Sequence, residues 1–276
     1  MRPGMTGPPT GRAPGPTSSA ASRVLVTGAD GVIGGVVRQH LGHTYQLSYL
    51  TRRPAGFASH VGDIADLASI QPAFEGVEAV LHLAASSSVD ASWDEILSDN
   101  ILGTYNVFEA ARRAGLSRVV FASSNHTVGM YEVEGAPELY EADHDRTYDV
   151  DTTLRPDSLY GVSKIFGEAL GRLYADRHGL RVICLRIGAV REHDDPTNVT
   201  GEETSLLPGL TASQLGRRLR AVWLSHRDCA QLISRALDAD IGWAVVYGVS
   251  NNPGRFWDLE GARDLIGYEP LDAAPE

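Results

Sequence analysis

The sequence predicts an α/β fold, a doubly wound parallel sheet with helices on both faces and a small C-terminal substrate lobe. Three observations carry this. Short runs rich in Val, Ile and Leu recur along the chain, stretches of helical character separate them, and the first strand-to-helix junction is a turn spaced by glycines. In chain order, residues 1–22 hold mostly Gly, Pro, Ser and Thr with almost nothing to bury, and read as a disordered leader. The run RVLVTG then gives a strand and VIGGVVRQHL a helix. YQLSYL and AVLHLAA are the next strands, followed by a helix over ILGTYNVFEAARRAG. RVVFASS is a strand, residues 131–158 an acidic loop, and YGVSKIFGEALGRLYADRHG a long helix. RVICLRIG is a strand and residues 191–216 a second loop with a short helix near Ser213. HRDCAQLISRALDAD and WAVVYGV close the pattern as helix and strand. Gly115 and Gly179 fall where helix C-caps belong. The expected division is a dinucleotide-binding domain over 23–190 and a substrate lobe over 191–276, interleaved with the last strand and helices.

Composition excludes several classes of function. The chain of 276 residues carries a net charge of −11, which argues against a nucleic-acid or anionic-membrane surface. An anionic substrate would need a local cation to hold it. Cys184 and Cys229 lie far apart in apolar surroundings, with no metal-ligand spacing, and read as inert buried thiols. No apolar run approaches the roughly 20 residues of a membrane span. The N-terminus lacks the apolar core of a secretory signal, so the expected compartment is the cytoplasm.

In VTGADGVIGG, the glycines Gly28, Gly31 and Gly34 lie three apart between a strand and a helix. The first permits a tight turn, the second lets the backbone approach a pyrophosphate, and the third allows close helix packing. The helix N-terminus then offers free N–H groups to the phosphates, as in a Rossmann-type site. A nicotinamide dinucleotide is the expected cofactor. At the end of the second strand, YLTRRP has no acid to receive the adenosine ribose diol. Arg52 or Arg53 can instead make charge-assisted hydrogen bonds to a 2′-phosphate, so NADP is expected over NAD. Asp63 is placed either to reach the adenine edge or to cap the following helix.

Tyr160 and Lys164 stand four apart at the start of a helix, on one face. A phenol of reference pKa about 10 needs about 2–3 units of depression to serve as a base near neutrality, and a neighbouring ammonium lowers it. With the glycine turn, D-I at Asp63 and Ile64, H-L-A-A from His82 to Ala85, the serines after RVVF and Y-G-V-S-K, residues 23–270 resemble the extended short-chain dehydrogenases/reductases, the epimerase/dehydratase branch. The resemblance implies that Tyr160 is the acid/base catalyst. It implies too that Lys164 also grips the nicotinamide ribose and that Ser124 orients the reacting oxygen. Ser123 is left to satisfy backbone groups of the turn. The same resemblance implies cofactor contacts at Val32, Ile33, Ile64, Leu83, Ala84 and Ala85, and a homo-oligomer.

A narrower resemblance, to the uronate dehydrogenases, rests on FASSNHTVG, RPDSLYGVSKIFGE, LRIG and VWLSHRD. It implies oxidation of the C1 hydroxyl of a hexuronate to an aldarolactone. Ser88, Asn125 and His126 would be sugar contacts and Arg218 the holder of the substrate carboxylate. Read from the residues alone, Arg218 can equally be one of three solvated arginines in GRRLR, and His126 a turn residue bonded to backbone. Ala189 stands where those enzymes carry a serine. Two rival activities share the same apparatus, a nucleotide-sugar epimerase or dehydratase and an NADPH-dependent ketoreductase. Fewer than ninety residues follow Gly188, a short stretch in which to house a nucleotide diphosphate.

Overall fold

In the computed structural model, which describes residues 22–141, 144–199 and 207–275, the predicted strands pair as one parallel sheet. The leader expected over 1–22 lies outside the described residues save for Ser22. The chain runs β1 (Arg23–Thr27), α1 (Val32–Leu41), β2 (Gln46–Thr51), β3 (His60–Val61), α2 (Leu67–Ile70) and β4 (Ala79–His82). Then come α3 (Trp93–Glu95), a π-helical stretch over Ile96–Leu102, α4 (Gly103–Arg113), β5 (Arg118–Ser124), α5 (Met130–Gly135) and α6 (Leu159–His178). The order ends with β6 (Arg181–Ile187), α7 (Ala212–Val222), α8 (His226–Asp238), β7 (Trp243–Gly248) and α9 (Glu260–Ile266). The spatial order is β3-β2-β1-β4-β5-β6-β7, every pair parallel.

The strands are buried on both faces, which is why they read as continuous apolar runs. In β1, Val24 and Val26 enter the core on one face with α1 and α8, and Leu25 enters the core on the other with Val107 and Phe108 of α4. β7 and α8 complete this same sheet and core, so the C-terminal part of the chain supplies structure on both sides of the expected domain boundary. Phe256 and Trp257 are buried in the core. Trp257 is 1% exposed and stacks on Tyr247 at 5.2 Å between ring centroids. Both cysteines are buried and free.

Several elements depart from the sequence expectation, among them α5, which runs from Met130 into the acidic loop expected over 131–158. β3 is only two residues long, below the length at which a pattern shows. The helix expected from Ile101 begins at Trp93, because Ser92 caps it in a reciprocal box with Glu95. Within the loop expected over 191–216, residues 200–206 lie outside the described residues, and the short helix near Ser213 is the 11-residue α7, opened by a second box between Thr211 and Gln214. No helix among the described residues is long and apolar enough to cross a membrane.

Candidate active site

The order reverses where β1 lies between β2 and β4, and the crevice beyond the strands' carboxyl ends holds a cleft of about 600 Å³. Gly28, Gly31, Val32, Ile33 and Gly34 line it on one side, and Leu83, Ala84, Ala85 and Ser88 on another. Ser124, Asn125, His126, Tyr160, Lys164 and Arg218 complete it. The cleft thus gathers most of the residues singled out in sequence.

The glycine turn fits a pyrophosphate on its own geometry. Gly28 has φ +65°, and a Cβ there would lie 2.7 Å from the Ala84 nitrogen. At Gly31 a Cβ would meet only the Gly28 carbonyl, at 3.4 Å, so the protein itself does not demand glycine there. What its bare backbone leaves is space for a ligand at the N-terminus of α1, which no side chain caps. The neighbouring strand end is fixed by Thr27, whose hydroxyl accepts from the Leu83 and Ala84 amides, each at 3.2 Å. That leaves its proton for His82 Nδ1 at 2.9 Å. Burial pushes the His82 imidazole down to about 3, so the ring is neutral and its Nε2–H points to Thr104.

Arg52, Arg53, Asp63 and Ile64 follow the ends of β2 and β3 and are not among the residues that line this cleft. Arg52 is ion-paired with Asp99 of the π-helical stretch at 2.5 Å, and Arg53 is exposed. Asp63 does not cap the following helix: its carboxylate accepts from the Ala65 amide, in the turn ahead of α2. The N-cap of α2 is Asp66. Ile64 is buried against Gly103, and its carbonyl accepts from Asn106 at 2.8 Å.

At the other end of the cleft, Lys164 Nζ lies 5.4 Å from the Tyr160 ring centroid and donates to the Ala122 carbonyl at 2.8 Å. Ser124 shares a hydrogen bond with the Tyr160 side chain and accepts from the His126 amide at 3.3 Å. The structure does not show the expected depression of the phenol. Burial pushes Tyr160 up to about 12, only partly offset by Ser124, and burial pulls Lys164 down to about 8. Desolvation is the largest cause for both groups, since burial strips water from each charged form. Ser123 also corrects the expectation. Its hydroxyl donates to Glu168 at 2.6 Å instead of serving turn backbone.

Arg218 is not a solvated arginine. It is 7% exposed, and its Nε donates to Glu132 of α5 at 2.6 Å, an oxygen that also accepts from the Tyr140 hydroxyl. His126 bonds a carboxylate, not backbone, through Nδ1 to Asp157 at 2.7 Å. Ser88 accepts from the Asp90 amide, and Asn125 is 5% exposed on the cleft wall.

A sequence model of the NAD dependent epimerase/dehydratase family matches residues 24–240. The chain belongs to that family. Three relatives frame its place within the epimerase/dehydratase family. The NAD-dependent glucose-6-phosphate dehydrogenase of Haloferax volcanii is 36% identical over 92% of this chain and 94% of its own. The L-arabinose 1-dehydrogenase (NAD(P)(+)) of the same organism is 42% identical over 91% and 97%. A variant of the Agrobacterium tumefaciens uronate dehydrogenase, solved as a complex with NAD, superposes with a TM-score of 0.75 at 33% identity over 92% of this chain and 86% of that one.

Four residues that bond the side chains in and around this cleft are not singled out by the sequence. Asn100, 2% exposed, receives the Ser86 amide on its side-chain oxygen. It donates to the Ser86 carbonyl and to Ser163, tying the strand end after β4 to α6. Glu132, Asp157 and Asp99 are the partners of Arg218, His126 and Arg52. Only the acidic character of 131–158 hinted at the first two.

Proposed function

We propose that this chain moves a hydride between a nicotinamide dinucleotide and the C1 hydroxyl of a monosaccharide, taking a hexuronate to its aldarolactone. It is a dehydrogenase acting on a CH–OH group. The observation that carries the reading is the convergence of Ser124, Tyr160 and Lys164 on one cleft beside the glycine turn, with Arg218 in its lining. The dinucleotide, when bound, supplies the hydride acceptor. Ser124 and Tyr160 hold the C1 hydroxyl between them, and Tyr160 takes its proton. Lys164, held by the Ala122 carbonyl, stabilises the phenolate that forms. Asn125 and His126 receive sugar hydroxyls, and Arg218 faces the carboxylate. A panel of hexuronates, neutral aldoses, nucleotide sugars and simple ketones, followed at the reduced-nicotinamide absorbance band, tests this. Turnover confined to ketones or nucleotide sugars overturns it.

A second reading, a neutral aldose as substrate, is favoured by one contact. Glu132 already compensates Arg218. A uronate carboxylate has to share the guanidinium with that buried acid, and like charges in a site of low dielectric repel. If the substrate is a uronate, Glu132→Gln keeps a hydrogen bond to Arg218 but removes the repulsion. The expected result is a several-fold lower KM for the uronate with no change for a neutral sugar.

For the cofactor, the names of the relatives favour NAD, while the arginines after β2 favour NADP. The Arg52–Asp99 pair bears on the choice, because a 2′-phosphate has to draw Arg52 away from its carboxylate. Asp99→Asn is expected to raise kcat/KM for NADP relative to NAD, read from initial rates with each cofactor. An unchanged ratio removes Arg52 from cofactor selection.

A further inference from the structure

The His126 ring stands edge-on to Tyr160, centroids 5.6 Å apart, and forms part of the cleft wall. Its Nδ1 lies 2.7 Å from Asp157 Oδ2. The Asp157 side chain is 1% exposed, and its other oxygen accepts from the Ser158 hydroxyl at 2.8 Å. The backbone is shaped around this pair. A Cβ at Gly129 would fall 1.7 Å from Asp157 Oδ2, and one at Gly161 would fall 2.4 Å from the His126 carbonyl oxygen. The turn after β5 and the start of α6 therefore approach closely only because both residues are glycine. Excluding water from a carboxylate is costly unless its oxygens are satisfied, and here two donors satisfy them.

An ionised carboxylate only accepts hydrogen bonds, so the proton between the two groups belongs to Nδ1. In the neutral imidazole Nε2 is then the acceptor. Nδ1 is taken by Asp157, which leaves Nε2 as the ring nitrogen for a ligand in the cleft.

We infer that Asp157 is a positioning residue for the sugar: it locks His126 in the tautomer whose Nε2 accepts a hydrogen bond from a substrate hydroxyl next to the reacting carbon. This rests on the sugar dehydrogenase reading. Asp157 lies three residues before Tyr160, so the segment that leads into the helix of the acid/base also sets the sugar's orientation against it. The lock also discriminates. An acceptor at that point holds a hydroxyl and rejects a deoxy analogue, since a site built to bond a hydroxyl loses heavily when it is missing.

Asp157→Asn is the test, because the amide can present its NH₂ to Nδ1 and turn the ring over to the Nε2–H form. The expected result is a rise of at least tenfold in KM for the sugar with a smaller fall in kcat and no change in KM for the dinucleotide. His126→Ala should show the same sugar defect, and the double variant should be no worse than His126→Ala alone. The ¹⁵N spectrum of the ligand-free protein should show His126 protonated at Nδ1, and at Nε2 in Asp157→Asn. A wild-type ring protonated at Nε2, or a sugar KM unmoved in Asp157→Asn, overturns the inference. Absence of turnover with every sugar in the wild-type protein would instead defeat the functional reading, and the ¹⁵N spectrum would still report the tautomer.

Discussion

Tyr160→Phe is expected to lower kcat/KM for sugar oxidation by about 10³-fold or more, the scale of a lost general base, while dinucleotide affinity stays within about twofold. The variant keeps the ring and its packing and removes only the hydroxyl whose oxygen is proposed to take the proton. Burial holds the phenol up at about 12, the Ser124 hydrogen bond works against that, and Asp157 adds to it. Oxidation needs the phenolate, so the rate rises with pH below the phenol's pKa. Reduction needs the phenol, so its rate falls as pH rises. A unit charge about 5 Å away is worth about 3 kcal/mol at an effective dielectric of about 20, or about 2 pK units. Lys164 supplies that only as an ammonium, and burial pulls its own pKa down to about 8. Lys164→Met should therefore move the rising limb of the oxidative pH profile to higher pH. Full activity in Tyr160→Phe, or a profile that does not move in Lys164→Met, would remove these two groups from proton transfer.

The parts of this site that were legible in sequence are those where local chemistry leaves few choices. A turn with Gly28 at positive φ, and strands buried on both faces, each constrain the residues within a short window. Tyr160 and Lys164 are one helical turn apart, so their meeting needed no knowledge of the fold. The partners that tune the site were not legible, since Arg52 and Asp99 are 47 residues apart and Arg218 and Glu132 are 86 apart. Only the packed structure brings those pairs together. Two helix starts carry a signal in the sequence. Ser92 with Glu95 and Thr211 with Gln214 both carry the capping-box spacing. In α7, Leu215, Arg218, Leu219 and Val222 share one buried stripe, so its arginine belongs to the inner face by the same periodicity that places its leucines.

Loss of the Glu168 carboxylate is expected to cost the most stability of any single change considered, about 3–5 kcal/mol for Glu168→Ala. Arg186 sits 3% exposed on β6 between its register partners Ser123 of β5 and Tyr247 of β7. It donates from Nε and a terminal nitrogen to the two Glu168 oxygens, each at 2.9 Å, and from the other terminal nitrogen to the Tyr247 hydroxyl at 3.0 Å. Burial opposes the guanidinium charge, but the Glu168 bonds outweigh it and the pKa of Arg186 is raised. Removing Glu168 leaves that cation in the core without a counter-charge, whereas removing both charges does not. Glu168→Leu with Arg186→Met should thus cost much less than Glu168→Ala alone, read from denaturation midpoints at constant m-value. Costs that simply add would mean that the pair is not coupled. Glu168 lies one turn beyond Lys164 on α6 and also receives the Ser123 hydroxyl, the neighbour of Ser124. The same buried pair that ties α6 to three strands also ties the Tyr160–Lys164 face to the strand that ends in Ser124, so stability and alignment of the site should be lost together.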